Sequence, residues 1–200
     1  MTRPLTLAAP ASAALIVAAL FAAGAQAAPT PYAIDPHHTQ ITFAWTHFGF
    51  SHLSGRFDQI EGTFNFDPAA PTRSNVEVSI PIASISTGVA DLDEDLRSDG
   101  FFDAEKFPNA TFKSTSVKSS GKDKLAVSGD LTIHGVTKPV TLDVTINKIG
   151  MHPLGKRAAA GFDASTTIKR TDFGVTKYAP NVSDEIQIHI STEAMVPKKS

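Results

Sequence analysis

Apolar and polar residues alternate one by one through most of the chain. Ile41, Phe43, Trp45 and His47 fall on one face while Thr42, Ala44 and Thr46 fall on the other, which is the period-two signature of a half-buried strand. The same period returns at Phe64 and Phe66, at Val76, Val78, Ile80 and Ile82, and at Leu131 and Ile133. It continues through Val140, Leu142, Val144 and Ile146, through Phe162 and Ala164, and through Ile186, Ile188 and Ile190. Clusters of Gly, Pro, Asn and Asp cut this pattern into eight predicted strands, at 38–47, 57–66, 75–82, 109–117, 124–133, 138–148, 159–169 and 184–194.

Connections such as Gly121-Lys122-Asp123 and Gly135-Val136-Thr137 are too short for parallel crossovers and suit antiparallel hairpins. The long connection between Thr87 and Pro108 contains Ala90-Asp91-Leu92-Asp93-Glu94-Asp95-Leu96-Arg97, a predicted short helix, with a closing turn at Asp99-Gly100-Phe101-Phe102. The expected fold is all-β: an extended eight-stranded antiparallel barrel with one short helical excursion over an end of the sheet. Closing the sheet removes its open edges, and a barrel of this size can hold one small ligand. A two-sheet sandwich fits the same alternation, which does not separate the two.

The first segment follows different rules. Arg3 is the only charged residue before Asp35, an apolar stretch runs from Ala11 to Ala23, and Ala25-Gln26-Ala27 follows. A positive start, a short apolar run and an A-x-A site are the parts of a secretory signal peptide. Residues 1–27 are therefore expected to be removed, leaving one domain at 28–200 in an exported, periplasmic protein.

Composition narrows the function classes. Lys and Arg number 18 against 20 Asp and Glu, so no basic excess is available to neutralise nucleic-acid phosphates. The absence of Cys removes disulfide frameworks, thiolate zinc sites, iron–sulfur clusters and thiol nucleophiles together.

Apparent motifs fail on inspection. Gly150-Met151-His152-Pro153-Leu154-Gly155-Lys156-Arg157 nearly matches a phosphate-binding loop, but Arg157 stands where Ser or Thr must hold magnesium, and strands flank it. It reads as a hairpin turn. Asp91, Asp93 and Asp95 imitate a calcium loop, yet Leu96 and Phe102 occupy the positions that need Gly and Glu. The seven His form no helical zinc pair, and no Ser sits in a nucleophile elbow. His47, in phase with Phe43 and Trp45, points inward near one end of the barrel, either as a core histidine bonded to a carbonyl or as a ligand-facing group. No cofactor or metal is expected.

Four segments together carry a resemblance. The first runs from Asp35-Pro36-His37-His38-Thr39-Gln40-Ile41-Thr42-Phe43 to His47-Phe48-Gly49-Phe50 and Gly55-Arg56-Phe57. The second is Asp93 to Ser98 with Phe101-Phe102-Asp103-Ala104-Glu105-Lys106-Phe107-Pro108-Asn109-Ala110-Thr111-Phe112. The third is Gly129-Asp130-Leu131-Thr132-Ile133-His134-Gly135-Val136-Thr137-Lys138-Pro139-Val140, and the fourth joins Ala160-Gly161-Phe162 to Ile168-Lys169-Arg170-Thr171-Asp172-Phe173-Gly174-Val175. Over roughly 32–195 the chain resembles the YceI-like family of bacterial envelope proteins. Thr39 and Asp95 depart from it, standing where Ser and His are expected.

The resemblance implies a lipocalin-like barrel that binds a polyisoprenoid or similar long-chain amphiphile, such as an isoprenoid quinone, with no catalytic residues to transfer. Motif membership carries to His38, His47, Arg170 and Asp172. By phase, Ile41, Phe43, Trp45, Phe64, Ile80, Phe112, Leu131, Leu142 and Phe162 are expected to line the cavity, with His47 and Arg170 nearer a polar end. The expected partners are a lipid and, transiently, a membrane or membrane protein; a homodimer stays open and nucleic acid is not expected. Two rival functions remain: an enzyme modifying such a lipid, and a structural or stress-response protein whose barrel is filled by its own side chains.

Overall fold

The computed structural model describes residues 28–198; the predicted leader, 1–27, lies outside them. Eleven strands form one antiparallel sheet: β1 (Thr30–Ile34), β2 (Gln40–His47), β3 (Ser51–Phe57), β4 (Glu61–Phe66), β5 (Asn75–Pro81), β6 (Ile85–Ser86), β7 (Asn109–Gly121), β8 (Lys124–Ile133), β9 (Val136–Met151), β10 (Ala158–Lys169) and β11 (Glu185–Met195). The helix α1 (Ala90–Arg97) matches the expected excursion.

The order β1-β4-β5-β7-β8-β9-β10-β11 returns to β1 through Ala33↔Met195 and Ile34↔Ala194, so eight strands close a barrel. This closure decides between barrel and sandwich. Three of the eight are bent, and their upper halves are separate strands. β2 continues beyond β1 along β11, β3 lies beside β2 before the chain bends into β4, and β6 follows β5 and pairs with β3. We call the end that carries α1 the upper end; the β7–β8 and β9–β10 turns mark the lower end.

The bend between β1 and β2 is built from the Asp-Pro-His-His-Thr motif. Asp35 accepts hydrogen bonds from His37 N and shares one with His38 Nδ1, both at 2.9 Å, while Thr39 Oγ1 donates to Asp35 O at 2.7 Å. The His38 hydrogen bond holds the Asp35 carboxyl below its ordinary pKa and raises that of His38. The motif is a strand bend, and His38 faces solvent.

All eight expected strands exist, with shifted edges. The segment expected at 57–66 crosses a break: Phe57 ends β3 and β4 starts at Glu61. β3 carried no periodic signal because Gly55 occupies an inward position, opposite Phe43, and contributes no apolar side chain. β1 is too short for alternation to register, and β6 has two residues. The β8–β9 turn is His134-Gly135, with φ of 51° and 73°, rather than 135–137. Positive φ at both residues matches the strand twist of a two-residue hairpin, so β9 begins at Val136.

Inside, bulky rings lean along the wall. The tip of the Phe43 ring sits over Gly55, where a Cβ would lie 2.5 Å from Phe43 Cζ. Phe112 does the same over Gly129, where a Cβ would lie 2.5 Å from both Phe112 Cζ and Lys113 O. At the lower end Tyr32, Phe64, Phe66 and Phe162 form a buried cluster, with Phe66 and Phe162 edge to face at 5.2 Å.

Replacing Gly129 by Ala forces the added methyl against the backbone oxygen of Lys113 as well as the ring. Overpacking of this kind costs about 1–3 kcal/mol, so the melting temperature should fall by about 2–4 °C per kcal/mol lost. Calorimetry of Gly129→Ala against the parent protein measures it; an unchanged melting temperature would refute the ring-on-glycine packing.

Candidate binding site in the barrel

The barrel encloses an apolar cavity of about 370 Å³. It is not filled by the protein's own side chains. All eleven residues expected to face a ligand border it: Ile41, Phe43, Trp45 and His47 from β2, Phe64 from β4, Ile80 from β5, Phe112 from β7, Leu131 from β8, Leu142 from β9, Phe162 from β10, and Arg170 just after β10. Strand phase placed the ten on strands, because successive Cβ atoms alternate between the lumen and the outside; Arg170 was expected from its motif. Val76, Val78, Ile186, Ile188 and Ile190 also line the hollow and are only half-buried, since part of their surface borders open space.

The upper end is the polar end. His47, Asp95, Tyr178 and Arg170 border the cavity there. His47 is exposed, its ring edge-on to Phe48 at 4.7 Å, and it bridges to Val182. Lys177 Nζ lies 3.6 Å from Asp95 Oδ1 and over the rings of Phe101 and Tyr178 at 4.8 and 5.3 Å. These contacts tie α1 and its following turn to the 170–184 loop. Thr39, Ser74, Asn75 and Thr192 are the polar groups toward the other end, where the hydroxyls of Thr39 and Thr192 hydrogen-bond at 2.7 Å.

Arg170 is buried, 8% exposed, and its donors are largely spent within the protein. Nε donates to Ser183 O, Nη1 to Val175 O and Lys177 O, and Nη2 to Val182 O, at 2.9–3.0 Å. That accounts for four of the five N–H groups of a guanidinium. Burial lowers its pKa, opposed by the charge of Asp184. Asp184 in turn accepts from Thr171 N and Thr171 Oγ1, each at 2.9 Å. Burial works to raise the Asp184 carboxyl, but the two Thr171 hydrogen bonds and the nearby Arg170 and Lys169 outweigh it and hold it below the ordinary range.

Among the described residues, no three His, Cys, Asp or Glu converge to hold a metal. The arrangement can enclose an apolar chain and meet a polar group at one end. Sequence reasoning missed the mouth residues Asp95 and Tyr178 as lining. Tyr178 lies in a loop without period, and Asp95 sits on an acidic helix whose solvated face hid it.

Comparison with known proteins was consistent with this geometry. The YceI-like domain model matches residues 32–194. Protein YceI of Salmonella arizonae is 41% identical over 181 residues, spanning 90% of this chain and 93% of its own. Burkholderia cenocepacia BcnA, a solved structure, is 27% identical with a TM-score of 0.73, over 80% of this chain and 99% of its own. A polyisoprenoid binding domain from Saccharophagus degradans shares the fold at 15% identity and a TM-score of 0.64, over 84% of this chain and 99% of its own.

Arg170→Met strips four carbonyls of their donor and should destabilise the protein by about 3 kcal/mol or more in urea unfolding, with only part recovered by Arg170→Lys, which lacks the planar fork. Because the Asp184 carboxyl is held below the ordinary aspartate range, its stabilising contribution is complete above that range and lost as pH falls through the lower folded value. Amide protection factors in 170–184, taken against the intrinsic exchange rate at each pH, should therefore fall on acidification below about pH 4, and the fall should vanish in Asp184→Asn.

Proposed function

The chain belongs to the YceI-like family, and on that premise we propose that it binds and carries a polyisoprenoid or similar long-chain amphiphile in the periplasm. The observation that carries this reading is the apolar cavity with its ionisable lining groups, His47, Asp95, Arg170 and Tyr178, gathered at the upper end. Two further points support it: the leader features of residues 1–27, and the polyisoprenoid binding domain that shares the fold.

The volume sets a scale. A cavity of about 150 Å³ takes one benzene, so 370 Å³ corresponds to about 15 carbon atoms. A longer tail extends beyond the enclosed space at one end. The head group then lies near His47, Asp95 and Tyr178, with the remaining Nη2 N–H of Arg170 as a cationic donor.

Trp45→Asp places a carboxylate in the lining and should abolish lipid copurifying with the protein, measured by mass spectrometry of organic extracts. Thr46→Asp, on the outward face beside His52, should leave it intact. Equal lipid in both variants, or none in the parent protein, would refute the carrier reading. Turnover products in the extract would favour an enzyme.

A further inference from the structure

The loop that imitates a phosphate-binding motif has another use. β9 outlasts its partner β8, whose ladder stops at Lys124↔Thr145, while β9 stays paired with β10 to Met151↔Ala158. The hairpin therefore stands free of β8 on one side, while β10 stays paired with β11 as far as Ala159↔Met195 on the other. Its tip is braced by His152 N donating to Arg157 O and Lys156 N to His152 O at 2.8 and 2.9 Å, and by Gly155 N donating to His152 Nδ1 at 2.8 Å. Arg157 Nη1 ties the base to Val196 O at 2.9 Å.

This braced tip presents apolar side chains to water: Ile149 is 41% exposed, Met151 65% and Leu154 88%. The irregularity at Gly161/Phe162 keeps Ile149 opposite Ala160, and past the end of β8 its side chain is open to solvent. Within the hairpin the charge is of one sign, with Glu193 of β11 across Gly161 from Lys148 at its base. Lys148 and Lys156 are exposed, Arg157 is half-buried, and no acidic residue occurs between Asp143 and Asp163. The neighbouring β7–β8 turn adds exposed Lys122 and Lys124 against Asp123.

The upper end also has an exposed apolar tip, Phe48 and Phe50 at 46% and 93%. There, however, α1 and its flank supply Asp91, Asp93, Glu94, Asp95 and Asp99 against Arg97. Charge thus separates the two tips. Exposed apolar side chains within a basic surface match the boundary of an anionic membrane, where both contributions add.

We propose that the β9–β10 hairpin docks the protein on an anionic lipid bilayer, with Met151 and Leu154 entering the headgroup region and Lys148 and Lys156 meeting lipid phosphates. The hairpin lies outside the cavity, so the proposal holds whatever the cavity contains.

Cosedimentation of the purified protein with vesicles tests it, using phosphatidylglycerol mixed with phosphatidylcholine and phosphatidylcholine alone. Binding should require phosphatidylglycerol and weaken with added salt. At about fivefold per basic side chain, Lys148→Glu with Lys156→Glu should weaken it by about 25-fold or more. Leu154→Ser with Met151→Ser should weaken it while leaving the salt dependence in place. All four side chains are exposed, so melting curves should not move. Equal binding to both vesicle types, no binding, or loss on Phe50→Ser in place of the hairpin variants would overturn the proposal. So would a dimer that the hairpin variants dissolve, without vesicle binding.

Discussion

A hollow β-barrel in water is held open against its own best interest. Side chains gain dispersion energy by closing on one another, and a void forfeits those contacts, so a lumen of this kind persists only where the wall cannot collapse. Here the constraint is the seating of two rings. Phe43 and Phe112 border the lumen, but each ring tip lodges over a glycine of the adjacent strand, Gly55 or Gly129. Packing is satisfied laterally within the wall, and the centre stays vacant. The aromatic cluster of Tyr32, Phe64, Phe66 and Phe162 completes the arrangement by concentrating dense packing at the lower end, where β1 closes the ring.

The upper end is organised by one cation. Arg170 carries its charge into a buried position without a carboxylate in direct contact, and four carbonyls of the 175–183 segment take up its donors. A buried charge is tolerable only when its hydrogen-bonding capacity is met. The carbonyls belong to a loop with little regular structure, so satisfying the guanidinium and ordering the loop are a single event. Asp184 and Thr171 fix the loop's return into β11, and Lys177 joins it to α1 through Asp95. Membership of Arg170 in a recognisable motif thus has a structural cause, and His38 has one too: its motif is a strand bend, away from the cavity.

The barrel wall was legible in the sequence because its physics is local and periodic. Every lining residue taken from strand phase reached the cavity, and the helix over 90–97 was bounded correctly. What escaped had no period to read. β3 lost its signal at Gly55, the residue whose missing side chain makes room for Phe43. The bends at 35–39, 58–60 and 82–84 convert three strands into pairs, and alternation on either side of a bend looks continuous or absent depending on phase. The polar mouth was visible only in part, since Tyr178 and Asp95 are brought to it by a loop and a helix whose placement depends on contacts distant in sequence.

These features bear on selectivity. Burying about 15 carbons at roughly 0.8 kcal/mol each would be worth about 12 kcal/mol from water, but the amphiphile proposed above, if drawn from a bilayer, would leave an environment that is already apolar. Tail transfer is then nearly balanced, and ordering the chain costs entropy. Discrimination falls to shape and to the head group, because a mismatched tail leaves voids or overpacks. Shape, in turn, is set by where the rings lie. A side chain at Gly55 or Gly129 would push Phe43 or Phe112 toward the centre, so the same contacts that stabilise the wall also define the length and width of what fits within it. Stability and capacity are therefore coupled through two glycines that touch no guest themselves.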